Sequence, residues 1–166
     1  KNKTKELWEW RSNPPDFSFM TGSCNYVNDS MYDRPGMPFG QPPEIFETMA
    51  AIPTDFMIWL GDNTYLREAD WSSASGIEYR FSHTRKLSQL QQFLASRPHY
   101  AIWDDHDFGP NDSNSSYDLK NEILEIFKKY WANKTFGEKE ADGIYSKFTY
   151  SDVEFFLLDN RFFRSN

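Results

Sequence analysis

Four short clusters of side chains hold most of what this sequence could use for chemistry. Cys24 follows Gly22-Ser23, and Asp62, Asn63 and Tyr65 follow Gly61. Asp104, Asp105, His106 and Asp107 run consecutively, with Asn111 four residues on, and Asp159 and Arg161 close the series. Together they offer a thiol, several carboxylates, a phenol, an imidazole and an amide. Carboxylates brought together repel one another unless a cation or a proton neutralises them, and a multivalent metal is the simplest neutraliser. Thiolate and phenolate suit a transition ion such as ferric iron or zinc, whereas Asp and Asn oxygens suit calcium, magnesium or manganese. The mixture therefore points to two unlike metals. Taken singly, each cluster also reads as ordinary turn chemistry, since Gly, Asp and Asn are common turn residues.

The elements that must position these residues are visible in the apolar pattern. Phe17 to Met20, Phe56 to Leu60 and His99 to Trp103 are short apolar runs of strand length, each ending in one of the clusters. The second has no polar break and reads as a strand buried on both faces. Residues 145–159 carry two strands around Ser151-Asp152, the last running into Asp159. Between the strands, Pro43-Glu44 opens a short helix ended by Pro53. Residues 78–94 read as one amphipathic helix ended by Pro98, and residues 117–131 as another, with Ile123, Phe127, Tyr130 and Trp131 on its apolar stripe. Residues 28–43, with four prolines and two glycines, read as a long surface loop. Strands separated by helices give an α/β fold with a parallel or mixed sheet, in which ligands bind beyond the carboxyl ends of the strands.

Composition narrows the function classes. The 166 residues carry 18 Lys and Arg against 25 Asp and Glu, a net charge of −7, which leaves no basic footprint for tracking a nucleic-acid backbone. With Cys24 the only cysteine, intramolecular disulfides and zinc sites built from paired cysteines are excluded. No apolar run approaches the roughly 20 residues of a membrane span. The sequence begins Lys1-Asn2-Lys3, without Met or a visible targeting segment, and reads as processed, trimmed or fragmentary.

Gly22-Ser23-Cys24, Gly61-Asp62-Asn63-Thr64-Tyr65, Trp103-Asp104-Asp105-His106-Asp107 with Asn111, and Leu158-Asp159-Asn160-Arg161 stand in the order and rough spacing of the PhoD-like alkaline phosphatases, which the chain resembles from about Asn13 to Arg161. That family belongs to the calcineurin-like metallophosphoesterase superfamily. The resemblance implies a metallophosphoesterase-like mixed β-sheet sandwich flanked by helices, incomplete in this chain, and metal-dependent hydrolysis of small phosphate mono- or diesters. It implies that Cys24, Asp62 and Tyr65 hold a ferric ion, with Asp62 bridging to a second ion, calcium, held by Asp104 and Asn111. Zn, Mn or Mg are the alternatives. Asp107 stands where the family has Glu, and Phe108-Gly109-Pro110 precedes Asn111. The resemblance puts Asp62 at the chemistry, with His106 either touching substrate or supporting a ligand. Arg161 either faces the phosphate or pairs with Asp159. The family's further Gly-Asp-x-His segment does not occur here. The chain is accordingly expected to be the N-terminal part of a larger phosphatase domain, with the remaining ligands after residue 166, and to hydrolyse esters poorly alone. An extracytoplasmic location, secreted or periplasmic, is implied in the same way.

Two other readings stay open on the residues. In one, the chain is a non-catalytic carbohydrate or protein interaction domain using exposed aromatics such as Trp8, Trp10, Trp71 and Trp131. In the other, Cys24 is the nucleophile of a hydrolase with His106 as its base, which requires the two within hydrogen-bond reach.

Overall fold

Strand β2 (Phe56–Leu60) forms the middle of the molecule because Phe56, Met57, Ile58 and Trp59 are all buried, which only a strand covered on both faces allows. The computed structural model describes residues 13–40 and 43–165. In it, β2 pairs in parallel with β1 (Phe19–Gly22) on one side and β3 (His99–Ile102) on the other. The register sets Gly22 beside Trp59 and Leu60 beside Ile102, so all three strands end at the same edge.

Alternation along β2 sends its side chains into two different cores. Met57 and Trp59 enter a helical layer made of α1 (Glu44–Ala51), α2 (Ala74–Arg85), α3 (Ser88–Ser96) and α5 (Lys120–Tyr130), where Phe81, Phe93, Ile123 and Phe127 are fully buried. Each such large apolar side chain contributes about 1.5–3 kcal/mol relative to exposure. Phe56 and Ile58 enter a second core against the antiparallel hairpin β4 (Ser146–Tyr150) and β5 (Val153–Leu157). That core is aromatic, with Phe56 in edge-to-face contact with Phe148 and Phe155 at 5.6 and 5.4 Å. The fold is thus mixed α/β, a parallel three-stranded sheet with helices on one face and a hairpin on the other.

One sequence expectation needs correction. The helix read over residues 78–94 is two helices, because Lys86 is helical but Leu87 is extended, with φ −62° and ψ 117°. The break has a packing reason. Helix α2 must turn Arg80 onto Asp29 and Asp70, whereas α3 must lay Phe93 against Phe46 and Trp59, each 6.0 Å away between ring centres. One straight axis does not serve both. Helix α2 also begins earlier than expected, where Ser73 Oγ accepts the Gly76 N–H at 3.1 Å. At the other expected helix, Tyr117 lies before the first turn, and its hydroxyl donates to the Trp71 carbonyl.

Candidate metal centre at the strand ends

Cys24, Asp62 and Asp104 each stand two residues beyond the ends of β1, β2 and β3. The parallel ladder does not stop with the strands: Cys24 N–H donates to Gly61 O at 3.2 Å and Asn25 N–H to Asp62 O at 2.8 Å. Gly61 has φ +101°, and a Cβ there would lie 2.7 Å from that of Asp104, so glycine is needed where the β2 and β3 loops touch. Cys24 (φ 60°) and Asp62 (φ 52°) are themselves in the left-handed region. For residues other than glycine this is an uncommon conformation, found where surrounding structure enforces it.

Asp62 is the focus of the site. Its Oδ2 accepts from the Tyr65 hydroxyl at 3.2 Å and lies 3.9 Å from the Cys24 thiol, while Oδ1 accepts the His106 N–H at 3.2 Å. The His106 ring stacks on Tyr65 with centres 4.6 Å apart. Asp62, Asp105 and His106 each offer a ligand atom, all within 4.8 Å of one another. Burial pushes the Asp62 carboxyl up, and the charges of Asp105 and Asp104 add to this against the opposing effect of His106. Burial likewise drives the Tyr65 phenol far above its ordinary value, helped by its bonds to Cys24 and Asp62. Among the described residues no basic side chain forms an ion pair with Asp62.

The remaining expected residues are placed differently. Asp104 Oδ1 accepts from Arg161 Nε at 2.6 Å and Asn160 Nδ2 at 2.9 Å, and the Asp104 and Asp107 side chains form a reciprocal capping box with each other's backbone N–H. Arg161 therefore pairs through its side chain with Asp104, not Asp159. Asp159 instead accepts the Trp103 indole N–H and the backbone N–H groups of Ile144, Arg161 and Phe162. Asn111 is exposed, and its Nδ2 donates to Asp112, whose own N–H donates to Asp105 Oδ2. That bond, with the charges of His106 and Arg161, outweighs burial and holds Asp105 below the usual carboxylate range.

Asp107 is fully buried at the third residue of the one-turn helix α4 (Asp105–Phe108), where it accepts four N–H bonds. They come from the backbone of Asp62, Asn63 and Asp104 and from Asn63 Nδ2, at 2.6–3.3 Å. Burial nevertheless raises its carboxyl to about 8. Asp107 thus ties the β2 loop to the β3 loop rather than facing the Asp62 cluster.

Sequence reasoning gave Asp105 no ligand role, although the structure groups it with Asp62 and His106. The available signal was that Asp104 is the residue before the helix, which leaves Asp105 and His106 as its first two helical residues. Cys24 and His106 share no hydrogen bond among the described residues. Trp131 is buried against Trp59 and Phe127, and Trp71 packs partly against the same core. Trp8 and Trp10 lie outside the described residues.

No protein-family model and no curated protein matches the sequence. The fold does match the solved structure of PhoD, with a TM-score of 0.67 at 18% identity. The match covers 90% of this chain and 32% of that of PhoD. The resemblance read from the four motifs is therefore present in the fold, and the chain spans about a third of the length of PhoD.

Proposed function

We propose that the strand-end site binds metal and hydrolyses phosphate esters within a PhoD-like phosphatase, at a location outside the cytoplasm. The observation that carries this reading is the unpaired Asp62 carboxylate, presented to a thiol and a phenol and flanked by Asp105 and His106. The donor set fits a metal. Three potential anions meet at one oxygen, and among the described residues no basic side chain forms an ion pair with Asp62 to balance them. Cys24, Asp62 and Tyr65 would hold a ferric ion, and Asp104 with Asn111 a second ion such as calcium. When bound, such ions polarise phosphoryl oxygens and make water a nucleophile at neutral pH.

The chain's own residues have separate tasks. Arg161 fixes the Asp104 carboxylate through Oδ1, and its guanidinium is buried beside Asp105 at 3.8 Å. His106 holds Asp62 through its backbone N–H, which leaves its imidazole to brace Tyr65. Asp107 holds the two loops in register from below. Negative net charge does not oppose an anionic substrate, because bound di- and trivalent ions dominate the local field.

The test is elemental analysis of the purified protein at its natural length, followed by metal stripping, recharging and assay on chromogenic phosphomono- and diesters. Iron with a second metal, and activity that follows the recharge, are expected. Hydrolysis that persists at full rate in the stripped protein would refute the metal site.

A further inference from the structure

Beside the Asp62 cluster lies a cavity of about 570 Å³ whose lining includes Cys24 and Tyr65 themselves. Its other walls include Val27, Phe39, Ile45, Phe46 and Leu87. Among the described residues no Asp, Glu, Lys, Arg or His lines it, although 26% of the chain is charged and the Asp62 cluster adjoins it. Two polar groups in the wall are already engaged: Asn25 Nδ2 donates to Asn63 O at 3.2 Å, and the Tyr26 hydroxyl to Asp33 at 2.8 Å. Ile45 and Phe39, 56% and 51% exposed, are large apolar side chains left open to solvent there.

The wall is also fixed in place. Arg67 grips both Asp33 oxygens at 2.9 Å and the Val27 carbonyl at 3.0 Å, and its guanidinium lies 4.1 Å over the Tyr26 ring. At the far end of the loop, Gly40 has φ +68°, and a Cβ there would lie 1.7 Å from the Tyr26 carbonyl oxygen. Backbone rests on backbone, so the cavity needs little ordering to receive a ligand.

We propose that this cavity receives the organic arm of the phosphate ester, and that the arm is an uncharged apolar group, aromatic or branched aliphatic. The inference rests on the phosphate-ester reading above and deepens it. Cys24 and Tyr65 meet Asp62 Oδ2 on one side and line the cavity on the other, so a phosphate held at Asp62 has its ester oxygen beside these apolar walls. A polyol, a sugar or a second phosphate would surrender water there and find few partners among the described residues.

The experiment is calorimetric titration of the metal-loaded, natural-length protein with methylphosphonate, benzylphosphonate and 2,3-dihydroxypropylphosphonate. Benzylphosphonate is expected to bind at least about 10-fold tighter than methylphosphonate, the scale of discrimination available to an apolar pocket. The dihydroxypropyl compound should gain nothing. In Ile45→Asp and Phe39→Asp, both at exposed positions, the benzyl-to-methyl ratio should fall toward one. Methylphosphonate binding with no benzyl advantage would overturn the inference and leave the phosphate reading standing, and a cavity filled by another part of the protein would give that result. A benzyl advantage that survives both substitutions would place the arm elsewhere and overturn the inference. If none of the three binds, the phosphate reading fails and the inference falls with it.

Discussion

Beneath the loop of residues 28–40, Arg80 closes on Asp29 and Asp70 at 3.0 and 2.8 Å, with all three residues buried, and Asp33 closes on Arg67 at 2.9 Å. At the strand ends, Asp62 is buried as well, yet forms no ion pair among the described residues. The two regions are similarly acidic and are neutralised differently. Where an arginine is supplied by the chain, the carboxylates act as fasteners, here pinning a proline-rich loop onto α2. Where none is supplied, the carboxylate is left to attract a charge from outside. Pairing, rather than acidity, separates Asp62 from Asp29, Asp33 and Asp70, and Asp104, which Arg161 pairs at the strand ends, belongs with the latter.

The sharpest way to break this comparison is to remove the internal cation. Arg80→Met should cost about 3–5 kcal/mol, because Asp29 and Asp70 would stay buried without their partner. Urea denaturation measures it, and a loss within error of zero would mean the buried network is not what holds the loop. A smaller and opposite effect is expected at Asp62. Asp62→Asn removes a carboxyl that burial has raised, so the metal-free protein should be no less stable at neutral pH. Its metal affinity should nevertheless fall by about 100-fold, equivalent to about 2.7 kcal/mol. Competition with a chelator, followed by elemental analysis, reads this directly. If Asp62→Asn instead destabilised the metal-free protein as Arg80→Met does, the two regions would be of one kind.

A third effect sharpens the comparison through pH. His99 accepts the Trp59 indole N–H at Nδ1, 3.0 Å away, and sets Nε2 against Phe93 O at 3.1 Å, while burial lowers its pKa to about 4. The unfolded chain gains a proton near 6.5 that the folded chain refuses. His99 therefore contributes stability that is complete above pH 6.5 and is lost between about 6.5 and 4. Asp107, raised to about 8, acts in the opposite sense over the same range. The difference between wild type and His99→Gln cancels that contribution and should slope only in this window. Asp29 and Asp33, both held below the usual carboxylate range, lose their contribution at lower pH still. A difference curve that is flat from pH 7 to 4 would remove His99 from this account.

What the sequence revealed and what it hid follow from the same distinction. Asp62 and Tyr65 were legible because an unbroken apolar strand can end only at the sheet edge, and Cys24 because its segment ends in the same way. Asp29, Asp33 and Asp70 were hidden, since an Asp in a loop looks like a turn residue, and nothing local announces an arginine some 10 to 51 positions away. The Asp104–Arg161 pair was unreadable for the same reason, being 57 residues apart, and Asp159 was the nearer candidate. The division of the 78–94 helix was obscured because Leu87, Leu90 and Leu94 keep helical spacing, and the off-register step from Phe81 to Leu87 was too slight a signal by itself. Periodicity reports which side is apolar, and only packing decides where an axis turns.

The left-handed backbone at Asp62 and Cys24 has a consequence for which amino acids these positions can hold. A β-branched residue with positive φ is a genuine outlier, whereas Asn and Asp enter that region most readily after glycine. The backbone therefore shortens the alphabet at position 62 before any ion does, and of what remains only Asp brings a charge. Threonine or valine there would confound a lost ligand with a rebuilt loop. Asparagine alters the chemistry and leaves the chain path alone, and at this position the conformation selects its own control experiment.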